Sequence, residues 1–149
     1  MKDKIGYLLD ASSFFNILPF IPAKKTKDKQ DLDLNITNLT PFEINNVLWK
    51  LYIRKRIGES EAKELSKLIS ELINSKIVKT LQVDEIEKVL NIAIRRKMSY
   101  YDASYIYVAI REKLVLVTDD NGMKKHAEKE GIKVIDSDEL RSVLSDLLK

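Results

Sequence analysis

The stretch from Met98 to Met123 constrains the fold more than any other part of the chain, because it ties acidic residues to both ends of a core unit. Residues 103–110 are apolar around nearly the whole circumference of a helix, which is typical of a helix in the middle of a domain. Asp102 stands at the start of this helix, and Asp119 and Asp120 follow a short β-branched strand. Core elements are therefore predicted to hold these acids in a fixed geometry.

The rest of the chain alternates between short apolar runs and segments with helical spacing. Strands are predicted at 5–9, 34–37, 77–81, 114–117 and 132–135. Helices are predicted at 11–18, 41–55, 59–73, 83–97, 123–130 and 137–148, and over the apolar stretch that begins at Ala103. Strands separated by helices predict a largely parallel sheet that is covered on both faces. We predict a single domain over residues 1–149, with a mobile loop at 21–33, where proline and a mixed charge run argue against regular structure.

Composition excludes several classes of protein. The chain has no cysteine, which excludes thiol catalysis, cysteine-ligated zinc and disulfides. Its four glycines are scattered, so the phosphate-cradling loop of a nucleotide-binding fold cannot be assembled. A receiver domain needs an acidic pair after its first strand, where only Asp10 stands. No apolar run approaches the roughly 20 residues of a membrane span, and we expect a soluble, cytoplasmic protein without membrane contact.

Acidic residues recur where a predicted strand ends or a predicted helix begins. These residues are Asp10, Glu43, Asp102, Asp119 and Asp120. In an open parallel sheet, the ligand crevice lies outside the carboxyl ends of the strands. We therefore expect these carboxylates to converge, although they are far apart in the sequence.

Helix capping is the alternative explanation for each acid taken singly. Glu43 and Asp102 stand three residues after Thr40 and Ser99, which is the spacing of a capping box with the hydroxyl residue as N-cap. Taken together, four ionised carboxylates near one another repel strongly, and a divalent cation would offset that repulsion. Without cysteine or a histidine cluster, oxygen ligation indicates a hard ion, Mg²⁺ or Mn²⁺. Such a site suits phosphodiester hydrolysis, because it activates water and stabilises charge on a phosphate.

Four segments resemble, in their order and spacing, the acidic motifs of PIN-domain ribonucleases, and especially those of the small VapC-type toxins. The segments are Leu8-Leu9-Asp10-Ala11-Ser12, Glu43 with Asn46, Tyr100-Tyr101-Asp102-Ala103, and Leu116-Val117-Thr118-Asp119-Asp120. The resemblance covers essentially the whole chain. It implies a three-layer α/β/α sandwich with a mostly parallel central sheet and a Mg²⁺- or Mn²⁺-dependent endoribonuclease activity. It further implies a homodimer and an antitoxin protein that blocks the site.

The resemblance also assigns roles to individual residues. The catalytic acids and metal ligands that it implies are Asp10, Glu43, Asp102 and Asp120. The polar residues that it implies as supports of those ligands are Ser12, Asn46 and Thr118. Asp119 fills the unspecified position of the family's Thr-x-Asp motif, so it is a candidate for an added metal ligand, an outer anion or an exposed residue. The Asn-Gly pair after Asp120 predicts a tight turn that delays the next helix.

Basic residues cluster at 24–29, 54–56, 95–97 and 124–125. These clusters admit two interpretations, solvated surface or a surface for a nucleic-acid backbone. Arg96 ends a helix just before the Asp102 helix begins, and Lys124 follows Asp120 by one helical turn. Both are therefore predicted to contact RNA phosphates.

Other conspicuous residues are predicted to be structural. Trp49 could stack on a base, but its helical spacing favours a core or dimer contact. His126 stands among lysines and is predicted to be a surface side chain rather than a catalytic base. Because a fold alone does not prove activity, a catalytically silent RNA-binding or regulatory module on the same fold stays open as the alternative function.

Overall fold

The computed structural model describes residues 4–20, 33–74 and 77–147, and within them strands alternate with helices as the sequence predicts. The strands are β1 (Gly6–Leu9), β2 (Asp33–Thr37), β3 (Ile77–Lys79), β4 (Val115–Val117) and β5 (Val134–Ile135). The helices are α1 (Ala11–Ile17), α2 (Thr40–Ile53), α3 (Glu59–Ile73), α4 (Ile86–Arg96), α5 (Tyr100–Glu112), α6 (Asn121–Lys129) and α7 (Ser137–Leu147). Short 3-10 turns span Leu18–Phe20 and Val83–Glu85. The predicted mobile loop lies outside the described residues from 21 to 32, and Asp33 instead opens β2.

All five strands are parallel, and their order in the sheet is β3-β2-β1-β4-β5. The chain moves outward from β1 to β2 and β3, and then returns to the other side of β1 for β4 and β5. Leu9 at the end of β1 is paired with Val117 at the end of β4. The strand order therefore reverses between β1 and β4, which is where open parallel sheets form a ligand crevice outside the carboxyl ends.

Side chains alternate between two faces along the central strands, and each face carries its own layer of helices. Tyr7 and Leu9 of β1 pack in one core with side chains of α1, α2, α3 and α7. Leu8 packs in a second core with α4, α5 and α6, in which Tyr105 and Ile106 of α5 are almost completely buried. No helix in the described ranges is long and apolar enough to cross a membrane. The predicted three-layer α/β/α sandwich is confirmed.

Two predictions about helix starts are wrong. Thr40 is not an N-cap, because α2 begins at Thr40 itself and Leu39 occupies the cap position without a side-chain hydrogen bond. The helix after Asp120 begins at Asn121, so the Asn-Gly pair does not delay it. The Asp120 carboxylate accepts a hydrogen bond from the Met123 backbone N–H at 2.9 Å and caps α6. This cap prevails over the turn preference of the pair.

A buried carboxylate ties the start of α4 to α5. The Glu85 carboxylate accepts hydrogen bonds from the Tyr107 hydroxyl and from the Arg111 guanidinium, both at 2.6 Å. These two contacts, together with the backbone N–H of Gln82, lower the pKa of Glu85 to about 2. Glu85 is therefore a paired anion at neutral pH, which adds polar contacts to the apolar packing of the two helices.

Candidate active site

Asp10 lies directly after β1, and the fold holds both of its carboxylate oxygens. Its backbone N–H donates to the Val117 carbonyl at 3.2 Å, which extends the pairing of β1 with β4. One carboxylate oxygen accepts the Ser13 backbone N–H at 2.9 Å and caps α1, and the other accepts the Thr118 hydroxyl at 2.6 Å. Burial raises the pKa of the Asp10 carboxyl above its ordinary value, whereas these hydrogen bonds oppose the rise. Asp10 is thus both a helix cap and an oriented, buried acid.

Thr118 links Asp10 to Asp120 across the end of β4. Its buried hydroxyl donates to Asp10 and accepts the Asp120 backbone N–H at 3.2 Å. The same hydroxyl therefore orients one acid and fixes the backbone of another. The structure brings Thr118 to Asp10, and its role as the support of a metal ligand stays a prediction.

Glu43 lies in the first turn of α2, and a chain of buried hydroxyl groups holds its carboxylate. The Tyr105 hydroxyl donates to Glu43 Oε1 at 3.0 Å. The phenol has only that one proton, so Thr40 Oγ1 is the donor in its 2.9 Å contact with the Tyr105 oxygen. Thr40 in turn accepts the Thr37 backbone N–H at 3.1 Å. Burial, reinforced by the Glu43 charge, raises the pKa of Tyr105 far above its ordinary value, so the phenol remains a donor.

The charges of neighbouring acids help to raise the pKa values of Glu43 and Asp102. Burial raises the pKa of Glu43, and the charges of Asp102 and Asp10 raise it further. Burial likewise raises the pKa of Asp102, with further contributions from Asp120 and Asp10. The Ser99 hydroxyl accepts the Asp102 backbone N–H at 3.1 Å and caps α5. This cap uses the backbone of Asp102 and not its carboxylate.

Asp119 faces a different part of the molecule from its neighbour Asp120. Its carboxylate accepts the Ser137 backbone N–H at 2.8 Å, the Ser137 hydroxyl at 2.7 Å and the Asn16 side-chain amide at 2.7 Å. Burial opposes ionisation, but these three hydrogen bonds lower the pKa of Asp119 below its ordinary value. Both oxygens are engaged at the start of α7, so of the three roles left open for Asp119 the geometry favours that of an outer anion.

The structure brings Ser13, rather than the predicted Ser12, to Asp10. Ser12 is exposed, whereas the buried Ser13 hydroxyl donates to the Val117 carbonyl at 2.8 Å. The signal was present in the sequence, because an N-cap side chain accepts from the residue three positions later. The predicted support Asn46 lies exposed on α2, and within the described part of the chain its amide has no hydrogen-bond partner.

The two predicted RNA-contacting residues differ in their partners. The Arg96 guanidinium donates to the Glu130 carboxylate at 2.8 Å. Lys124 has no ion pair with any described residue. Contact of either residue with RNA stays a prediction, and Lys124 is the freer of the two.

His126 lies closer to the acids than its lysine-rich surroundings in the sequence indicate. It is half-buried, and its charge lowers the pKa of Asp102. Its Nδ1 atom is buried and has no hydrogen-bond partner among the described residues. The sequence offers no signal for this placement, because it depends on how α6 packs beside α5.

The converging carboxylates offer only oxygen ligands, which suit a hard divalent cation such as Mg²⁺ or Mn²⁺. Across residues 4–20, 33–74 and 77–147, however, no group of three or more histidine or acidic side chains is arranged so that it could hold a metal ion. The chemistry of the donor set fits a divalent cation, whereas the arrangement of the described side chains does not itself form a metal site.

Comparison with known proteins identifies the family. The sequence pattern of the PIN domain matches residues 7–139, which include all the acids described above. The chain belongs to the PIN-domain family. This PIN domain is also 34% identical, over 116 residues, to the Exonuclease VapC9 of Pyrobaculum aerophilum, and the match covers 78% of this chain and 81% of that protein.

Solved structures share the fold of this PIN domain. The crystal structure of PAE2754 from Pyrobaculum aerophilum matches with a TM-score of 0.75 and 30% identity, over 96% of this chain and 97% of that one. The structure of FitAB bound to an IR36 DNA fragment has a TM-score of 0.60, at 16% identity, and covers 88% of this chain and 94% of its own. The structure of FitAcB from Neisseria gonorrhoeae has a TM-score of 0.58, at 16% identity, and covers 88% of this chain and 97% of its own. The last two matches show the fold alone.

Replacing Tyr105 by Phe tests the chain of hydroxyl groups behind Glu43. The variant loses the donor to Glu43 and leaves the Thr40 hydroxyl without its acceptor, so we expect the free energy of unfolding to fall by about 1–3 kcal/mol. The pKa of Glu43 should rise, because the hydrogen bond from Tyr105 lowers it. Chemical denaturation measures the first effect, and titration of the Glu43 carboxyl by NMR measures the second.

Tyr107→Phe is a matched control for Tyr105→Phe, because it removes a phenol that donates to Glu85 rather than to Glu43. The control should lower the free energy of unfolding and leave the pKa of Glu43 unchanged. Identical Glu43 titrations in Tyr105→Phe and wild type would contradict a positioning role for Tyr105.

Proposed function

We propose that this PIN domain is a Mg²⁺- or Mn²⁺-dependent endoribonuclease that hydrolyses RNA phosphodiester bonds as the toxin of a toxin–antitoxin pair. The observation that carries the proposal is the convergence of acids at the paired ends of β1 and β4, where the Thr118 hydroxyl joins the Asp10 carboxylate to the Asp120 backbone. The charges of Asp10 and Asp102 also help to raise the pKa of Glu43. Membership of the PIN family and similarity to a relative named as an exonuclease support nuclease activity. Metal dependence, RNA as the substrate and cleavage within the strand go beyond those comparisons.

In the proposed reaction, the chain's own residues supply oriented anions. Hydrogen bonds hold Asp10 and Glu43, and each carboxylate keeps lone pairs for a cation. Asp102 lies in the first turn of α5 and Asp120 caps α6, so both acids lie at helix N-termini. When bound, Mg²⁺ or Mn²⁺ would activate water and stabilise charge on the phosphate.

Cleavage of a circular RNA is the experiment that tests this function. We expect the protein to cut circular and linear RNA of the same sequence in Mg²⁺ or Mn²⁺ and to cut neither in EDTA. Single-stranded DNA of the same sequence serves as the control for substrate class, and we expect it to remain intact. Gel analysis of end-labelled and internally labelled strands distinguishes internal cuts from removal of terminal nucleotides.

Each other outcome contradicts a definite part of the proposal. Degradation of linear RNA alone would indicate an exonuclease, which is the activity in the name of the VapC9 relative. Preferential cutting of DNA would reject the substrate class. No cleavage in any divalent metal would favour the catalytically silent module.

The proposal includes partners. In it, the protein acts in the cytoplasm as a homodimer, Arg96 and Lys124 contact the RNA backbone, and an antitoxin protein blocks the acids. Exposed apolar side chains along one side of the α4 region support a protein interface there, because such a stripe usually marks an interaction site. They are Val83, Ile86, Leu90 and Ile94.

A further inference from the structure

Helix α2 has one face in the core and an opposite face that is both apolar and exposed. Ile44 and Leu48 are buried in the core. On the opposite side, Phe42, Trp49 and Ile53 are 75%, 57% and 56% exposed. At 3.6 residues per turn these three positions align along one side of the helix, and we call them the α2 stripe. Of the predicted core or dimer contact of Trp49, the core contact is therefore wrong, and the dimer contact stays a prediction.

The α2 stripe begins beside the candidate active site. Phe42 directly precedes Glu43, whose carboxylate belongs to the acids at the end of the sheet. Lys50 is exposed two helical turns beyond Glu43 and lies on the same edge of α2. Trp49 lies about 9 Å beyond Glu43 along the helix axis, given the rise of about 1.5 Å per residue. A ligand that follows the α2 stripe therefore reaches the acids at one end.

The other end of the α2 stripe leads to unpaired positive charge. Arg54, Lys55 and Arg56 follow α2 directly, and we call them the α2 basic cluster. All three are exposed, and none has an ion pair with another described residue. Arg96, by contrast, is engaged by Glu130. The α2 basic cluster is therefore freer to contact a polyanion than Arg96 is.

We propose that the α2 stripe and the α2 basic cluster together form a track for single-stranded RNA that leads to the cleaved bond. This inference rests on the proposed ribonuclease function and names the path of its substrate. Unstacked bases pack on exposed aromatic rings such as those of Phe42 and Trp49. In this track, Lys50 and the α2 basic cluster contact the phosphates. Their positive charge favours a polyanion over an apolar protein partner as the occupant.

The fluorescence of Trp49 provides a direct probe, because it is the only tryptophan in the chain. In EDTA, which prevents cleavage under the proposed function, we expect unstructured single-stranded RNA to quench this fluorescence. Trp49→Ala should weaken binding of a labelled RNA by about tenfold, as measured by fluorescence anisotropy. Ile5→Ala is the matched control, since it removes a side chain of similar exposure just before β1, at the opposite edge of the sheet from the acids, and it should leave RNA affinity unchanged.

Salt dependence separates stacking from charge. The double variant Arg54→Gln with Arg56→Gln should reduce the log–log slope of RNA affinity against salt by about 1.4, which is about 0.7 for each lost phosphate contact. Trp49→Ala should keep the wild-type slope, because it removes no charge. Lys88→Gln, which removes an exposed cation from α4, serves as the control and should leave the slope unchanged.

Two outcomes would overturn the RNA track. Unquenched Trp49 fluorescence with unchanged affinity in Trp49→Ala would show that no base stacks there. A change in sedimentation between wild type and Trp49→Ala without RNA would assign the α2 stripe to contact with a second copy. Cleavage of circular RNA by the wild type is measured separately. The proposed track can therefore be rejected while the ribonuclease function is upheld, and the ribonuclease function can be rejected while RNA binding along the track is upheld.

Discussion

Asp102→Asn is expected to reduce metal-dependent RNA cleavage by at least about 100-fold, measured as the single-turnover rate in Mg²⁺ or Mn²⁺. Loss of a residue that merely supports a ligand already costs about 10- to 100-fold, and Asp102 is proposed to be a ligand itself. Asp10→Asn should have an effect of the same size. Both variants should remain folded, because the Asn side chain keeps an oxygen that can accept a hydrogen bond.

Helix capping alone predicts a different result. If Asp10 served only to cap α1, Asp10→Asn would leave cleavage and stability nearly unchanged, and only Asp10→Ala would lower the free energy of unfolding, by about 0.5–2 kcal/mol. Asp136→Asn is a matched control, because the Asp136 carboxylate accepts the Glu139 backbone N–H at 2.8 Å at the start of α7. Undiminished cleavage by both Asp10→Asn and Asp102→Asn would remove these residues from the mechanism.

Adding Mn²⁺ or Mg²⁺ is expected to raise the melting temperature of the wild type by about 5–10 °C at concentrations near 100 times the dissociation constant. Binding to the folded state alone contributes about 2.7 kcal/mol at that saturation. For a chain of this length, 1 kcal/mol shifts the melting temperature by roughly 2–4 °C. Differential scanning calorimetry across a metal titration, with EDTA as the reference, measures the shift.

The raised carboxyl pKa values explain why a cation should stabilise this site. Burial and like charges raise the pKa of Glu43 and of Asp102, so the folded state binds these protons more tightly than the unfolded state does. The free energy of unfolding contributed by these groups therefore falls as pH rises from the unfolded pKa through the folded pKa, and it stays low at neutral pH. A cation offsets that loss by pairing with the carboxylates.

Asp102→Asn controls the metal titration as well. It should abolish most of the metal-induced rise, and its melting temperature in EDTA should not fall below that of the wild type, because it removes a repelling charge. Equal melting curves for the wild type with and without saturating metal would mean that the acids are caps that share no ion.

Much of the fold follows from local sequence patterns. A helix without a polar face can only be buried, so the apolar circumference of α5 predicts its central place in the second core. Short β-branched runs separated by helices predict a parallel sheet, because parallel strands need a crossover connection. The helix at 59–73 has its predicted bounds, since one apolar face repeats at helical spacing between Gly58 and the end of α3.

Predictions from local patterns are wrong where the partner of a side chain is distant in the sequence. Thr40 has the spacing of an N-cap, but its hydroxyl is engaged by Tyr105, 65 residues away. Tyr105 itself reads as an ordinary core residue of an apolar helix, and only its contact with Glu43 reveals a positioning role. The exposure of Trp49 is likewise invisible in the sequence, because helical spacing does not say which face of α2 meets the core.

By itself, the sequence determined the alternation of strands and helices and the position of each acid at a strand end or a helix start, because hydrophobic periodicity and capping are local. Only the tertiary structure decided that β4 lies beside β1. That strand order brings the Thr118 hydroxyl to Asp10 across 108 residues, and the packing of α7 directs Asp119 to Ser137. Strand order depends on which apolar faces pack together across the whole chain, and no local pattern encodes that long-range choice.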